Sequence, residues 1–422
     1  MYLRDMRHSS FDSSELQINH DTVQKMVPAW MTSFHAGMAA SPSIRDGSLY
    51  VGDWSGMFYR IDAATGAVRW QTFVGKAPTP DNPTCMPGIG VSAQATVTDA
   101  AIYVAGGDSA VYALEPASGR ILWRVPLAEP DSGSYLWTGL TLYQNALYLG
   151  VASLGDCPVV RGALARIDLD RPSYPLVRFV MPLGSLGAGV WTTPAIDRET
   201  NTVYITTGNG DQDADAGEWG SALLALDATT LEIKAHYFLP SSSPDSDMDW
   251  GSSPTLLETA DGTKMVAAVS KDGNLYSLGR EDLKPLWISR IAISGEQPES
   301  GDGSVSTPAF DGHLLYLGAG AQVEDDWDHR GSLFAINPAD GSVVWSQTLT
   351  GVVLAPVTLT DEVVFAATTQ GLIAFDTKTG EQLWSDGSTD TLYCQPILVD
   401  GMLFATYLNG RILAWNLPPA QQ

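Results

Sequence analysis

The sequence predicts an all-β fold, an eight-bladed β-propeller in which each blade is a four-stranded antiparallel sheet. Two recurring phrases and the composition predict it. One phrase consists, in order, of an apolar strand, an Asp or a chemically similar residue, a Thr-Gly or Ser-Gly turn, and a strand that ends in Trp. The other is a short strand marked by Ser, Thr or Pro, which precedes the first phrase. With 41 Gly and 25 Pro in 422 residues and only 17% charged residues, the composition is typical of a turn-rich globular β-protein.

The phrase that ends in Trp supplies the two outer strands of a blade. Its clear copies are YRIDAATGAVRW (59–70), YALEPASGRILW (112–123), FAINPADGSVVW (334–345) and IAFDTKTGEQLW (373–384), with a looser copy at 276–287 and degenerate copies at 165–179 and 224–237. The Trp positions recur every ~40 to 58 residues, which is the range of propeller blades. We expect each of these Trp side chains to pack between neighbouring blades with its N–H on a carbonyl oxygen.

The second phrase supplies the innermost strand and occurs eight times. Its copies are AASPSI (39–44), SAQATV (92–97), LWTGLTL (136–142), VWTTPAI (190–196), GSSPTLL (251–257), STPAF (306–310), LAPVTL (354–359) and YCQPILV (393–399). The last unit lacks an outer strand, and residues 16–33 contain a strand that ends in Trp30. We expect this N-terminal strand to complete the last blade, which removes an open seam from the ring. The predicted organisation is one domain over 1–422, with 1–15 as a flexible extension and 16–33 as the closing strand.

The charge and the apolar runs limit the partners and the compartment. The formal net charge is -25 and the pI about 4.3, so the surface repels phosphate backbones and nucleic acid is not an expected partner. Apolar runs stay under about ten residues, too short to span a bilayer. The N-terminus has no apolar signal core. Two compartments stay open: the cytoplasm or, if a signal sequence has been removed, the periplasm or the exterior of the cell.

The long connections between strands are expected on one face of the ring, which we call the upper face. Three of them are rich in carboxylates, over 208–219, 244–250 and 323–331. Clustered carboxylate and amide oxygens suit a hard cation such as Ca²⁺, and the alternative is that these are solvated acidic loops. Asn209 and Asp249 stand closest to strand ends, where the backbone is rigid, and are the preferred candidates.

Three cysteines are too few for a disulfide scaffold and do not have the spacing of a zinc site. Cys85 and Cys157 fall in upper loops of successive parts of the ring. They form either a disulfide, which would indicate an oxidising compartment, or two free thiols. Cys394 lies in an innermost strand, where we expect a buried and inert thiol.

The tandem pattern resembles the pyrroloquinoline quinone (PQQ) alcohol dehydrogenases and polyvinyl alcohol dehydrogenases over essentially the whole chain. Residues 187–210 resemble the segment with the Trp that stacks on the quinone and an Asn bound to calcium, which implies Trp191 and Asn209. Residues 244–257 resemble the segment with the catalytic Asp, which implies Asp249, with Asp247 as second choice. Residues 270–278 resemble the segment whose basic residue contacts the quinone oxygens, which implies Lys271.

The sequence also departs from this family. Residues 151–162 resemble the segment with the calcium-binding Glu, but their only acid is Asp156. The adjacent Cys–Cys pair of the family is missing, since residues 84–88 hold Cys85 alone. No CxxCH motif occurs, so no attached c-type haem is expected and the electron acceptor is not indicated. Basic residues near the expected site are few, although PQQ is a tricarboxylate.

Three functions follow as hypotheses. The first is oxidation of a small or polymeric alcohol, or a sugar-like substrate, with PQQ and Ca²⁺, in which Asp249 is the general base and Asn209, Asp249 and Asp156 hold the cation. The second is a non-catalytic propeller that binds a protein, glycan or metal on its upper face after loss of the quinone site. The outer-membrane assembly propellers, built from the same repeat, show that it can serve as a scaffold alone. The third is another enzyme on the same scaffold, whose pocket could use tryptophans outside the repeats: Trp54, Trp137, Trp219, Trp250 and Trp327.

Overall fold

A computed structural model of the chain describes residues 3–129, 131–240, 246–323, 326 and 328–418. Within them the strands form eight antiparallel sheets. These sheets are the blades of a propeller, so the predicted fold is confirmed. We number the blades 1 to 8 in chain order and letter their strands A to D from the axis outwards. Trp327 and parts of two predicted acidic loops, 244–250 and 323–331, lie outside the described residues.

The first four blades contain the following strands. Blade 1 has Ser43–Arg45, Ser48–Gly52, Met57–Asp62 and Val68–Phe73. Blade 2 has Thr96–Val97, Ile102–Ala105, Ala110–Leu114 and Ile121–Pro126. Blade 3 has two inner segments, Ser134–Tyr135 and Thr141–Tyr143, followed by Ala146–Ser153, Ala163–Asp168 and Leu176–Phe179. Blade 4 has Ala195–Asp197, Thr202–Thr206, Ala222–Asp227 and Ile233–Phe238.

The last four blades repeat the pattern. Blade 5 has Thr255–Glu258, Lys264–Val269, Asn274–Gly279 and Pro285–Arg290. Blade 6 has Ala309–Phe310, Leu315–Ala319, Gly331–Ile336 and Val343–Leu349. Blade 7 has Thr358–Leu359, Val363–Thr368, Gly371–Asp376 and Gln382–Ser385. Blade 8 has Ile397–Val399, Met402–Thr406 and Arg411–Asn416, to which the N-terminal strand Val27–Ser33 adds strand D.

The N-terminal strand closes the ring as predicted. Val27–Ser33 pairs antiparallel with Arg411–Asn416 of blade 8. The paired strand is shorter than the predicted 16–33, because residues 16–26 approach it without strand pairing and include a short 3-10 turn, Val23–Lys25.

The B and C strands carry most of the buried surface. Ala146–Ser153 and Gly331–Ile336 are buried at every position, whereas the outer strands Val68–Phe73 and Pro285–Arg290 alternate between exposed and half-buried residues. The inner strands are apolar on both faces because each blade packs between two neighbours, while strand D meets solvent at the rim. The hydrophobic clusters therefore lie between blades, for example between blades 3 and 4.

Four interfaces between blades share a tryptophan contact. The indole N–H of Trp70 in blade 1 donates to the carbonyl oxygen of Pro116 in blade 2 at 3.1 Å. A Cβ on Gly119, in the same turn of blade 2, would lie 2.5 Å from the Trp70 ring, so the turn needs glycine both for contact and for its φ of +72°. The same donor-to-turn contact is made by Trp30, Trp287 and Trp345.

The interfaces around blade 4 use tyrosines instead. The hydroxyl of Tyr148 in blade 3 donates to the carbonyl of Ala228 in blade 4 at 2.7 Å, and the hydroxyl of Tyr204 in blade 4 donates to the carbonyl of Arg280 in blade 5 at 2.7 Å. Both tyrosines lie in strand B, nearer the axis than the D-strand tryptophans. The Trp phrase is degenerate in this part of the sequence, and these tyrosines make contacts to the next blade there.

The expectation of a flexible extension over 1–15 is wrong for the described residues. Leu3, His8 and Ser10 are buried, and the backbone carbonyls of this segment accept hydrogen bonds from the inner strands. The physical reason is that strand A is an edge strand with unpaired N–H groups toward the axis, which need acceptors. We call residues 3–12 the N-terminal strap.

Among the described residues, no helix is both long and apolar enough to cross a membrane.

Candidate active site

A central cavity of about 610 Å³ lies at the upper end of the propeller axis. Each blade contributes one residue to its floor, at an equivalent position next to strand A. We call these eight residues the axial ring: Ser41, Gln94, Gly139, Thr193, Ser253, Thr307, Pro356 and Gln395. Because all eight blades take part, the cavity exists only when the ring of blades is closed.

Hydrogen bonds between successive blades hold the axial ring in place. The N–H of Gly139 donates to Oγ1 of Thr193 at 2.9 Å, and the N–H of Thr193 donates to Oγ of Ser253 at 2.9 Å. The N–H of Ser253 continues to Oγ1 of Thr307 at 3.1 Å, and across the closure the N–H of Gln395 donates to a hydroxyl of blade 1 at 2.8 Å. The Ser and Thr of the repeated inner-strand phrase therefore serve as blade-to-blade acceptors.

A second cavity of about 960 Å³ adjoins the first on the side of blades 3 to 5. The two cavities share six lining residues, so they form one continuous space: Met86, Trp137, Trp191, Asp247, Lys271 and Glu299. The second cavity is also lined by Asn209, Asp249 and Asp156. All of the predicted site residues thus face one connected space.

Asp249 and Lys271 form an ion pair at the side of this space. Nζ of Lys271 lies 2.8 Å from Oδ1 of Asp249 and 2.9 Å from Oδ1 of Asp247. Asp249 is only 2% exposed and Lys271 8%. Lys271 follows strand B of blade 5 and Asp249 precedes strand A of the same blade, and the backbone N–H of Lys271 donates to the carbonyl of Asp249 at 3.1 Å. One blade therefore fixes both charges.

Burial controls the protonation of this pair. Burial raises the pKa of Asp249 to about 6, although the Lys271 ammonium acts in the opposite direction. Burial alone would lower the pKa of Lys271, but the carboxylates of Asp249 and Asp247 raise it above its ordinary value. At neutral pH the lysine is charged and Asp249 is mostly ionised.

Trp191 and Asn209 belong to blade 4 and meet this pair from the neighbouring side. Nζ of Lys271 lies 5.6 Å from the centre of a Trp191 ring, within the range of a cation–π contact. The backbone N–H of Asn209 donates to Oδ2 of Asp249 at 3.1 Å. The preceding Gly208 leaves room for that oxygen, because a Cβ at Gly208 would lie 3.1 Å from it.

The cation ligands are only partly brought together. Asp247, Asp249 and Asn209 lie together, whereas Asp156 is an exposed residue of the same cavity that forms no metal-binding group with the two other acids. Within the described residues, no group of three or more His, Cys, Asp and Glu side chains is placed to hold a metal ion.

The Cys85 and Cys157 sulfurs are bonded as a disulfide, with Cα atoms 5.7 Å apart and a sequence separation of 72. The bond joins the loop after blade 1 to the loop between strands B and C of blade 3. Met86, next to Cys85, lines both cavities. The disulfide therefore fixes a loop at the edge of the site. Cys394 is a free, buried thiol.

The sequence did not point to two acids of the site. Glu296 and Glu299, in the connection from blade 5 to blade 6, line the central cavity, and Glu299 lies on a short 3-10 turn, Pro298–Ser300. Oε1 of Glu296 accepts from the backbone N–H of Asp247 at 3.1 Å. The only sequence signal was the position of this long connection on the upper face. Of the five tryptophans outside the repeats, Trp54 and Trp137 line the cavity.

Comparison with known protein families gives two matches. A family model described as outer membrane protein assembly factor BamB matches residues 27–149 and 264–417, about two thirds of the chain. A model described as the β-propeller domain of glucose, ethanol and alcohol dehydrogenases with the label PQQ matches residues 183–328. The second match contains Trp191, Asn209, Asp249 and Lys271.

Individual relatives agree with these matches. The quinoprotein ethanol dehydrogenase of Pseudomonas aeruginosa is 24% identical over 90% of this chain and 80% of its own length. A polyvinylalcohol dehydrogenase of a Pseudomonas species is 22% identical over 86% of this chain and 63% of its own length. The structure of a europium-containing methanol dehydrogenase superposes with a TM-score of 0.82 at 15% identity, over 99% of this chain and 97% of the other. The chain belongs to the PQQ-repeat β-propeller family, in which quinoprotein alcohol dehydrogenases and assembly-factor propellers share one architecture.

Proposed function

We propose that this protein is a quinoprotein alcohol oxidoreductase that binds PQQ in the upper central cavity. The observation that carries the proposal is the convergence of an aromatic face, a buried lysine and a buried carboxylate on one space, from Trp191, Lys271 and Asp249. The sequence relatives, which are quinoprotein and polyvinyl alcohol dehydrogenases, support the same reaction class.

The donor set fits PQQ. A flat, anionic quinone needs an aromatic surface for stacking and a cation for its oxygens, which Trp191 and Lys271 supply. The hydroxyl of Thr193 in the axial ring also lines the cavity and can donate a further polar contact, because its contact with Gly139 uses the oxygen only as an acceptor. The acids at the rim, Glu296 and Glu299, are unfavourable neighbours for a tricarboxylate, so we place the ligand against the Trp191 and Lys271 side.

The chemical types of the side chains in the second cavity also suit a hard metal ion. Asp247, Asp249 and the amide of Asn209 offer the oxygen donors that Ca²⁺ prefers. Oδ1 of Asp249 is buried and lies 2.8 Å from the Lys271 ammonium, so a metal ion at this carboxylate would have to share it with the lysine. Because Asp156 forms no metal-binding group with Asp247 and Asp249, we propose Asp249, Asn209 and Asp247 as the protein ligands, and water would complete the shell.

The residues of the chain then have distinct tasks. PQQ, when bound, supplies the two-electron acceptor for the hydride of the alcohol. A carboxylate oxygen of Asp249 takes the proton of the substrate hydroxyl, and a pKa of about 6 leaves it in the basic form at neutral pH. The Lys271 ammonium stabilises negative charge beside Trp191. The Asn209 N–H keeps Oδ2 of Asp249 oriented.

A second candidate is a binding propeller without redox chemistry. The family model with the longest match is that of an assembly factor, and the cavity contains few cations for a tricarboxylate. In this case the upper face would bind a protein, a glycan or a metal, and Trp191 would be only a wall residue.

We further propose that the protein works in an oxidising compartment, periplasmic or extracellular. The bonded Cys85–Cys157 pair supports it, because such bonds persist mainly outside the cytosol.

The experiment is reconstitution of the full chain with PQQ and either Ca²⁺ or a lanthanide, followed by alcohol-dependent reduction of an artificial electron acceptor. We expect reduction that rises with pH through about 6, as Asp249 loses its proton. Asp249→Asn should lower the rate by roughly 100-fold or more, the contribution of a general base. Asp328→Asn, at an exposed acid of another upper loop, should leave it unchanged. Tight PQQ binding without any dye reduction, or no binding, would favour the binding propeller.

A further inference from the structure

We propose that the N-terminal strap closes the lower end of the propeller axis and that His8 is a positioning residue within it. Through His8, the strap holds the inner strands of blades 4 and 5 in place beneath Trp191 and Asp249. This inference deepens the proposed function, since it concerns the same site.

The strap winds around the axis and gives one carbonyl to each of four successive blades. The carbonyl of Met6 accepts from Ile196 in blade 4 at 2.8 Å, and that of Arg7 accepts from Leu256 in blade 5 at 2.8 Å. The carbonyls of Ser9 and Ser10 accept in the same way from blades 6 and 7, at 2.9 Å each. The strap therefore satisfies inward N–H groups of strand A on half of the ring.

His8 follows Met6 and Arg7 in the strap, and its side chain contacts blades 4 and 5. It is 1% exposed, and its Nδ1 lies 2.7 Å from the carbonyl oxygen of Pro254. A carbonyl only accepts, so Nδ1 carries the proton and donates. The carbonyl of Pro194 is a further neighbour of the ring, and burial lowers the pKa of His8 to about 4, so the imidazole is neutral. One neutral side chain thus contacts the inner strands of both blades.

The site, the axial ring and the strap form three layers along these two strands. In blade 4 the order along the chain is Trp191, then Thr193 of the ring, then Pro194 and Ile196, which meet the strap. In blade 5 the order is Asp249, then a ring serine, then Pro254 and Leu256 at the strap. Few residues separate the strap from the site in each strand, and the intervening ring residues are bonded to each other. A displacement of the strap would therefore be transmitted to the strands that carry Trp191 and Asp249.

The backbone of the strap shows that its conformation is imposed by these contacts. Leu3, Arg4, His8 and Ser10 have φ values of 53°, 75°, 64° and 54°. Non-glycine residues adopt this region only at a cost, and they remain there when surrounding contacts fix them.

The strap also extends to blade 8. Nε2 of Gln395, an axial-ring residue, donates to Oγ of Ser10 at 3.0 Å. Gln395 lines both the upper cavity and a smaller cavity of about 180 Å³ beside Arg4, Ser10 and Asp12. Part of the floor of the upper cavity thus rests on the strap.

The test is hydrogen exchange of backbone amides in the full-length chain, compared among four proteins. The variant His8→Ala removes the donor. His8→Asn restores a donor and tolerates the positive φ, so it is the conservative rescue. Tyr407→Phe removes one partly buried hydrogen bond, from blade 8 to Asp386, and serves as a control for general destabilisation. The amides of Ile196 and Leu256 report on the strap, and the amide of Asn209, bonded to Asp249, reports on the site.

We expect His8→Ala to speed exchange at least tenfold at all three amides, His8→Asn to restore most of the protection, and Tyr407→Phe to leave the three amides within about twofold of wild type. Unchanged exchange at Ile196 and Leu256 in His8→Ala would overturn the anchoring role. Faster exchange at these two amides with an unchanged Asn209 amide would overturn the positioning role.

PQQ binding is measured on the same four proteins in a separate experiment. We expect His8→Ala to raise the PQQ dissociation constant at least fivefold and His8→Asn to restore it. Failure of the wild-type chain to bind PQQ would contradict the proposed function, whereas the exchange result needs no ligand and decides the strap proposal independently.

Discussion

Two parts of the ring solve the same packing problem in different ways. At the interfaces from blade 1 to 2 and from blade 5 to 6, a D-strand tryptophan donates to a turn carbonyl of the next blade. At the interfaces on either side of blade 4, B-strand tyrosines make the corresponding bond closer to the axis. The proposed site lies in this second part. The repeat is thus preserved at the interfaces with a tryptophan contact, and it is degenerate on either side of blade 4, which carries Trp191 and Asn209.

The largest expected effect concerns the covalent bond on the site side of the ring. The double variant Cys85→Ser with Cys157→Ser opens a loop of 72 residues, which should lower the free energy of unfolding by about 4 kcal/mol. Denaturant unfolding measures it. Cys394→Ser, at the free buried thiol, is the matched control and should cost less than about 1 kcal/mol. Equal losses in both proteins would mean that the disulfide does not stabilise the site side.

The regular interfaces should depend on their tryptophans. Trp70→Ala removes the ring that packs on Gly119 and its bond to Pro116, and we expect a loss of about 3 kcal/mol in the free energy of unfolding. Thermal and denaturant unfolding give the value. A loss below about 1 kcal/mol would show that strand pairing within the blades, rather than the tryptophan contact, holds these interfaces.

The buried carboxyl group of Asp249 should make the free energy of unfolding depend on pH. Since the folded pKa of Asp249 is raised to about 6, the folded chain binds this proton more readily than the unfolded chain, and the contribution of Asp249 falls as pH rises from about 4 to 6. This decrease in the free energy of unfolding amounts to between roughly 2 and 3 kcal/mol. Asp249→Asn removes it, so the difference in unfolding free energy, variant minus wild type, should increase over this interval. A difference that is flat from pH 4 to 6 would contradict a buried, raised Asp249.

The smallest effect concerns the tyrosine interface. Tyr204→Phe leaves the carbonyl of Arg280 without that donor and should cost about 1 kcal/mol, because the ring itself stays packed. A loss as large as that of Trp70→Ala would remove the distinction between the two kinds of interface.

The fold was predictable because its signal is repeated in side-chain types. The eight inner-strand phrases and the Trp phrases specify the number of blades, and the missing last strand with Trp30 predicts the closure. The strap was not predictable, because it binds through backbone carbonyls, which any sequence supplies. Its one distinctive side chain, His8, has no neighbour in the sequence that would indicate its contact with Pro254.

The candidate site was predictable in part. Trp191, Asn209, Asp249 and Lys271 come from segments that resemble one family, and the structure brings them to one space. The Asp156 prediction depended on loop geometry that the sequence does not encode, and in the structure this exposed residue forms no metal-binding group with Asp247 and Asp249. Glu299 was missed because it belongs to a connection without a repeat.

The most direct measurement of the central claim is equilibrium binding of PQQ to the full chain in the presence of excess Ca²⁺, followed by the absorbance of the quinone. The account predicts micromolar or tighter binding that is at least tenfold weaker in Trp191→Ala and in Lys271→Met, whereas Trp219→Ala, at a tryptophan of blade 4 stacked on Phe238, binds as wild type. Absence of binding by the wild-type chain, or equal affinities in the three variants, would contradict the placement of a quinone against Trp191 and Lys271.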